Sequence, residues 1–578
     1  MRLGHCPSFT DSAISETMIT ASLNRAPIGT AGDSRSIGGL QSGNLLIFAD
    51  ARIDDRASLL SQLSESRPDS DADLILGAYR KWGPNCIRHL TGDFAFVIID
   101  QQAGSIFCGR DHIGARPLYY ALGSDRMHFA SNIDALIAAD PSLNSIDPEF
   151  AAMALVDNTF ASSDRTFHRR IRKLAPGHTL EVGPKRHQIE RWWNPRDISP
   201  LTLHNEAEYV EAARSVFATA VEDRICAAER VAVHLSGGLD SSAVAATATR
   251  LLRQSRRAEP IGYAWHLRAA DMPQDDESIV VEAARDALQI EAFAPVADKD
   301  SIVALLRADW SRGIDAGILI SEGAIQDHAQ QQSISLILSG WGGDEGLSFN
   351  GRGYHAQLLT SGDWRELSRV SNNPGVVALL KGIRNGLREL GKGVQSAGMK
   401  RRTKSSYLSP DYTSLIGQFK HAPISFRSPQ HVMAGLIDTN HLASRLESWA
   451  LSAQPKFIQY AYPLLDRRVM EFALSLPGHM FLRDGTRRWI MREMIDPAIP
   501  DIIRRNTQKA EPARVKAAIP HLHKAFHRCA DLLEGQNGRG ERDQYVDLKR
   551  LIADLRGPEE AVRANLSYKR RALQFLLF

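Results

Sequence analysis

The sequence predicts an α/β chain in two parts: a first third of short β-strands, then strands and helices in alternation that build a doubly wound parallel sheet with helical additions. Three observations lead there. Up to about residue 195, short apolar runs alternate with turn residues. Around residues 195–206 the pattern breaks at NPRDISPLTLHN, which reads as a linker. From about residue 207, buried strands are each followed by a segment of helical period. The domains expected are therefore 1–195 and 207–578.

In the first third, NLLIFADARI, GDFAFVIID, SIFCGRDHIG, PLYYALG and RMHFASN have strand character, and DADLILGAYRKWG carries apolar residues at helical spacing. After the linker, EAEYVEAARSVFATAVEDRI reads as a helix and VAVHL as a strand. A Gly-rich turn and the helix SSAVAATATRLL follow. Then come the strand IGYAWHL, the helix DESIVVEAARDALQ, more helix, and the strand ISLILSG. From about residue 430 the chain reads as helical and rich in Arg. Lys381, Arg384, Arg388, Lys392, Lys400, Arg401, Arg402 and Lys404 make one strongly basic stretch. It reads either as a solvated face or as a contact for a peptide or acidic partner.

Composition narrows the function classes. With 578 residues, 43% apolar and 24% charged, the chain can bury several cores. A net charge of +3 argues against a dedicated nucleic-acid binder. The cysteines, Cys6, Cys86, Cys108, Cys226 and Cys529, form no CxxC pair, so reduced thiols in a cytoplasmic protein are expected. The first residues lack the apolar core of a signal peptide. No run reaches the roughly 18 apolar residues that span a membrane, so no membrane insertion is expected.

VAVHLSGGLDSSAVAATA carries the most chemistry. A buried strand ends at Leu235, and Ser236, Gly237 and Gly238 let the backbone approach an anion closely. A helix starting near Ser241 then aims its N–H groups and positive dipole end at that anion. The hydroxyls of Ser236, Ser241 and Ser242 add donors. Asp240, after Leu239, is repelled by a phosphate unless a cation lies between them. Magnesium meets that need, because it takes oxygen ligands from one or two carboxylates plus phosphates. The loop lacks the lysine of G-x-x-x-x-G-K-[ST]. It resembles the pyrophosphate loop of the N-type ATP pyrophosphatases, which implies ATP as the bound nucleotide.

ISLILSGWGGDEGLSFNGRGY repeats the order of strand and Gly-rich loop, with Ser339 and Gly340 at the strand's end and Asp344 and Glu345 beyond. In a parallel sheet such loops share one crevice, so Asp344 is expected to join Asp240 around one magnesium. Near the C-terminus, Arg487, Arg488, Arg504, Arg505 and Lys509 cluster in sequence. A positioned cation stabilises charge on an α-phosphate and on a tetrahedral intermediate, and Lys509 is the residue expected to supply it.

These blocks together resemble the synthetase domain of the asparagine synthetase superfamily. ADARIDDRASLLSQL, SDADLILGAYRKWG, LTGDFAFVIID, GRDHIGARPLYY and FHRRIRKLAPGH resemble its class II glutaminase-like domain. The resemblance implies an N-terminal αββα sandwich of the Ntn-hydrolase type. An ATP-pyrophosphatase domain, similar to the adenine nucleotide alpha hydrolases, would follow. It also implies that Trp265, Ser339 and Gly340 contact the nucleotide.

The departures matter as much. Family glutaminases expose a cysteine as their first residue after Met. Here position 2 is Arg2, and Cys6 becomes terminal only if five residues are removed. LNRAPIGTAGD, around Arg25, lacks their glutamine-holding Arg-Gly pair. The expectation is a glutaminase fold that does not hydrolyse glutamine and a substrate that brings its own amine.

ADARIDDR and SGWGGDEGLSFNGRG resemble the β-lactam synthetases and, above all, the lasso-peptide macrolactam cyclases, and RRNTQKAEP is similar to the cyclases' ending. Where asparagine synthetases carry an acid, this chain has Trp341, a hydrogen-bond donor that cannot act as a base. The reaction implied joins a precursor peptide's N-terminal amine to an Asp or Glu side chain through an acyl-adenylate, releasing AMP and pyrophosphate. A leader peptidase and a leader-binding protein are the partners implied. Two alternatives stay open: an ammonia-using or small-molecule amide ligase, and a non-catalytic peptide-binding scaffold.

Overall fold

A computed structural model describes residues 18–22, 39–63, 68, 70–122, 126–157, 164–183, 186–265, 276–315, 319–320, 322–371, 375–391, 396–416, 424–506, 513–535 and 540–577. The first part contains β1 (Met18–Ser22), β2 (Leu40–Ser42), β3 (Leu45–Asp54), α1 (Arg56–Leu63), α2 (Asp71–Trp82), β4 (Thr91–Asp100) and β5 (Ser105–Arg110). It continues with β6 (Tyr119–Leu122), β7 (Arg126–Ala130), α3 (Ile133–Ala139), α4 (Pro148–Asp157), β8 (Ile171–Lys173), β9 (His178–Gly183) and β10 (Arg186–Arg191).

These strands make two antiparallel sheets, ordered β1-β7-β6-β8 and β10-β9-β5-β4-β3-β2. Strand alternation explains why β4 is apolar throughout. Val97 and Ile99 face inward with Phe48 and Cys108, against Tyr120 and Phe129 of the smaller sheet. Phe94, Phe96 and Ile98 face outward and pack on Leu74 and Ile75 of α2. On the other outer face, Ile133 and Leu136 of α3 cover Tyr119 and Ala121. Helix, sheet, sheet, helix is the αββα sandwich that the family resemblance implies.

The second part opens with α5 (Glu206–Ile225), β11 (Val231–His234), α6 (Leu239–Gln254), β12 (Ile261–Tyr263), α7 (Asp276–Leu288) and β13 (Ala292–Phe293). Next come α8 (Lys299–Leu306), α9 (Glu322–Gln331), β14 (Leu336–Leu338) and, beyond several helices, β15 (Gln459–Ala461). All neighbours in the order β13-β12-β11-β14-β15 are parallel. The order runs one way from β11 to β13 and the other way from β14 to β15. The strand order therefore reverses between β11 and β14, the place where open α/β sheets commonly bind ligands at the strands' carboxyl ends.

Three details differ from the sequence reading. The strand within IGYAWHL stops at Tyr263, although the Ala264 N–H still donates to Phe293 O at 2.9 Å. Helix α6 begins at Leu239, two residues ahead of Ser241. The region from 430 is largely helical but supplies β15, whose three residues are too few to show a period of two.

Candidate active site

The loop after β11 closes on itself through hydroxyls. The Ser236 and Ser241 hydroxyl oxygens lie 2.8 Å apart, and the Ser236 N–H donates to Ser241 Oγ at 3.2 Å. Ser241 Oγ in turn donates to Gly238 O at 3.1 Å. Gly237 has φ +64°, and a Cβ there would lie 2.4 Å from Val280 Cγ2 of α7. The turn thus needs glycine both for its backbone and for its neighbour. Gly238 caps α6 without offering a side chain to the first-turn N–H groups, which suits an anion at that end.

The loop after β14 presses against the first. A Cβ on Gly340 would lie 2.5 Å from Ser241 N, and one on Gly343 would lie 2.8 Å from Asp240 Cγ. Ser339 is fixed between strand and loop: its N–H donates to Ala461 O at 2.9 Å, and its hydroxyl accepts from Trp341 N at 3.2 Å.

Both acids expected at the metal converge on one cation. Arg488 Nη1 lies 3.6 Å from Asp240 Oδ2, and Arg488 Nη2 pairs with Asp344 Oδ1. The route to that position is local. An Asp484-Gly485 turn folds Leu482–Arg483 back on Thr486–Arg487, a strong hairpin signal. Arg488 then takes φ +57° before the helix Trp489–Met494. A non-glycine residue held there stores strain, a pattern that clusters at functional sites.

Of the other basic residues, Arg505 points to solvent beside Asp501, at 3.4 Å and 80% exposed. Arg504 reaches Asp496 O and Ile499 O at 3.4 Å each. Lys509 lies outside the described residues. Among the described residues of the five basic candidates, Arg488 is found between the acids.

Trp265 follows β12, the strand beside β11. Its indole N–H donates to Glu322 Oε2 at 3.2 Å. Glu322 Oε1 lies 2.8 Å from His234 Nε2 and accepts from the Tyr460 hydroxyl at 2.6 Å. Burial raises the Glu322 pKa, but His234 and the hydrogen bonds from Tyr460 and Trp265 outweigh it and hold the carboxyl below its ordinary value. Glu322 sits in a segment the sequence reading treats only as helix, so nothing there marked it as the hub under Trp265.

On the opposite side, Trp341 lies 5.6 Å between ring centroids from His441, and the Arg445 guanidinium stacks 4.8 Å above its ring. Glu345 is buried beside Asp344. Burial, then Asp344 and Asp240, push its carboxyl up to about 7.

Magnesium fits this donor set. Among the described residues no group of three or more His, Cys, Asp or Glu side chains could hold a metal unaided. Two carboxylates that already share a cation suit an ion whose remaining oxygens come from phosphates and water.

The asparagine synthase family matches residues 212–577, and a glutamine amidotransferase domain family matches residues 48–193. A putative glutamine-hydrolysing asparagine synthetase of Mycobacterium tuberculosis is 24% identical over 542 residues, covering 88% of this chain and 79% of the relative. Asparagine synthetase 3 of Bacillus subtilis is 22% identical over 449 residues, covering 75% and 69%. The amidase chry2 of Gibberella zeae is 27% identical over 293 residues, 48% of this chain and 42% of that protein. The match spans less than half the length of that fungal relative and of a second amidase, chyE of Penicillium rubens. A solved glutamine phosphoribosylpyrophosphate amidotransferase of Bacillus subtilis overlays with a TM-score of 0.20 at 14% identity, covering 46% of this chain and 48% of that one.

Proposed function

The chain belongs to the asparagine synthase family, and on that premise we propose that it is an ATP-dependent ligase closing a carbon–nitrogen amide bond through an acyl-adenylate. The observation that carries this reading is the meeting of Asp240 and Asp344 on Arg488, across two touching glycine loops where the sheet reverses. Ser236–Ser242 would cradle the pyrophosphate of ATP. Trp265, Ser339 and Gly340 would line the nucleotide's side of the crevice. Asp240 and Asp344 would hold Mg2+, which neutralises phosphate charge when bound. Arg488 keeps the two acids aligned, and Lys509 is the proposed cation on the α-phosphate.

The finer reading is a macrolactam cyclase acting on a leader-cleaved precursor peptide, with a leader peptidase and a leader-binding protein as partners. Its support is the face beyond the loop after β14, where Trp341 and the stacked Arg445 offer an aromatic and cationic wall suited to a bulky peptide. Holding the peptide's two ends together would supply on the order of 7–11 kcal/mol through proximity. The test is mass spectrometry of a candidate leader-free peptide after incubation with enzyme and Mg-ATP. Loss of one water with one AMP and one pyrophosphate per ring is expected. AMP formed with free aspartate and not with any peptide would overturn the cyclase and leave a small-molecule ligase.

A further inference from the structure

Amide closure on an acyl-adenylate forms an N–C bond and breaks the C–O bond to phosphate, with AMP leaving on the electron pair. The attacking ammonium must also shed protons. Trp341, at the acceptor edge, can only donate. His441 stands beside it, on the helix Asn440–Ala453. Its Nε2 lies 3.7 Å from Glu345 Oε1, close to hydrogen-bond reach, and its side chain is 39% exposed.

We infer that His441 is the group that takes the proton from the attacking amine, with Glu345 orienting its ring. The inference rests on the ligase reading above. The surroundings keep the imidazole ready to accept. Burial, then Arg445 of the same helix, lower its pKa, while Asp157 of α4 opposes them. The groups facing His441 are thus Glu345 from the loop after β14, Arg445, and Asp157, itself paired with Arg402 of the helix Ser396–Ser405. At neutral pH the ring is uncharged, passes the amine's proton on to water, and is ready again.

The test separates the two halves of the reaction in His441→Gln. Adenylation is read by ATP–pyrophosphate exchange with the N-acetylated leader-free peptide, whose amine is blocked. Closure is read by single-turnover mass spectrometry with the free peptide across pH. Exchange should stay within about twofold of the unaltered enzyme, while closure falls about 100-fold, the low end of what a general base contributes. The part of the acid limb that belongs to the imidazole should vanish in the variant, leaving the limb set by the amine's own protonation, ordinarily at roughly pH 8. Hydroxylamine, already unprotonated at neutral pH, should trap the acyl group equally well in both proteins. Closure within about twofold of normal, or exchange and hydroxylamine trapping falling in parallel with closure, would overturn the assignment. No exchange in the unaltered enzyme would instead remove the ligase reading itself.

Discussion

Asp240 lies in the first turn of α6, where the helix's positive end favours its charge and Arg488 meets it from the far side. Asparagine keeps the shape and removes only that charge. Asp240→Asn should therefore cut ATP–pyrophosphate exchange by at least about 100-fold, the scale on which a single electrostatic group acts at such sites. The melting temperature should move by no more than about 3 °C, since a half-buried pair as long as 3.6 Å is worth ~1 kcal/mol. A calorimetric scan beside the exchange assay checks both. Undiminished exchange would mean that the loop serves a scaffold. Glu322 illustrates the opposite case, a charge kept because three partners use it at once: His234, Tyr460 and Trp265. Its work is to hold the Trp265 indole in place rather than to react.

The two glycine loops function as one element because their backbones touch. Gly340→Ala would place a methyl group 2.5 Å from Ser241 N, a backbone atom that cannot swing aside. The variant should lose at least about tenfold in exchange by splaying Asp344 from Asp240, at a cost of roughly 1–3 kcal/mol in stability. Gly323→Ala, in α9 where a Cβ meets nothing within 4 Å, should instead leave exchange unchanged and stabilise by about 0.5–1 kcal/mol. Equal behaviour of the two variants in the exchange assay would show that loop contact is irrelevant. The first loop was legible in the sequence because strand, Gly-rich turn and helix are consecutive and each obeys a local rule. The second was legible by repetition of the same rule. Arg488 was hidden because it reaches Asp344 across 144 positions, and the Asp484-Gly485 hairpin signal before it does not say which distant acids it meets. β13 and β15, of two and three residues, exist only through pairing with neighbours that the sequence does not reveal.

At the scale of the whole molecule, the two parts are joined by buried charge. Arg224 of α5 reaches Asp54 at 3.5 Å, Asp93 at 3.7 Å and Asp466 at 2.6 Å, and Arg52 pairs with Asp54 at 2.9 Å and Asp93 at 3.0 Å. A second junction places Glu447 between Arg110, at 2.9 Å, and Lys173, at 3.1 Å. The ADARIDDR and LTGDF segments thus face the second part, and Arg52, Asp54 and Asp93 serve the junction. Burial pushes Asp466 up, but Arg224 and Arg468 outweigh it and hold the carboxyl well below its usual range. Burial likewise opposes Arg52 and Arg224 at Asp93, and the arginines win. A carboxyl whose folded pKa is depressed adds stability that is complete above its unfolded value, roughly 3.9, and is lost as pH falls below it. Unfolding free energy should therefore drop steeply once the pH passes below about 4. Arg224→Met leaves three acids short of a partner and should cost about 3–5 kcal/mol at pH 7. Because it removes the cation that depresses Asp93 and Asp466, it should also flatten the acid slope. Urea titrations of both proteins between neutral and acidic pH decide the matter: parallel slopes would mean that the stabilising charge lies elsewhere, and a shallower slope in the variant would place it at this junction.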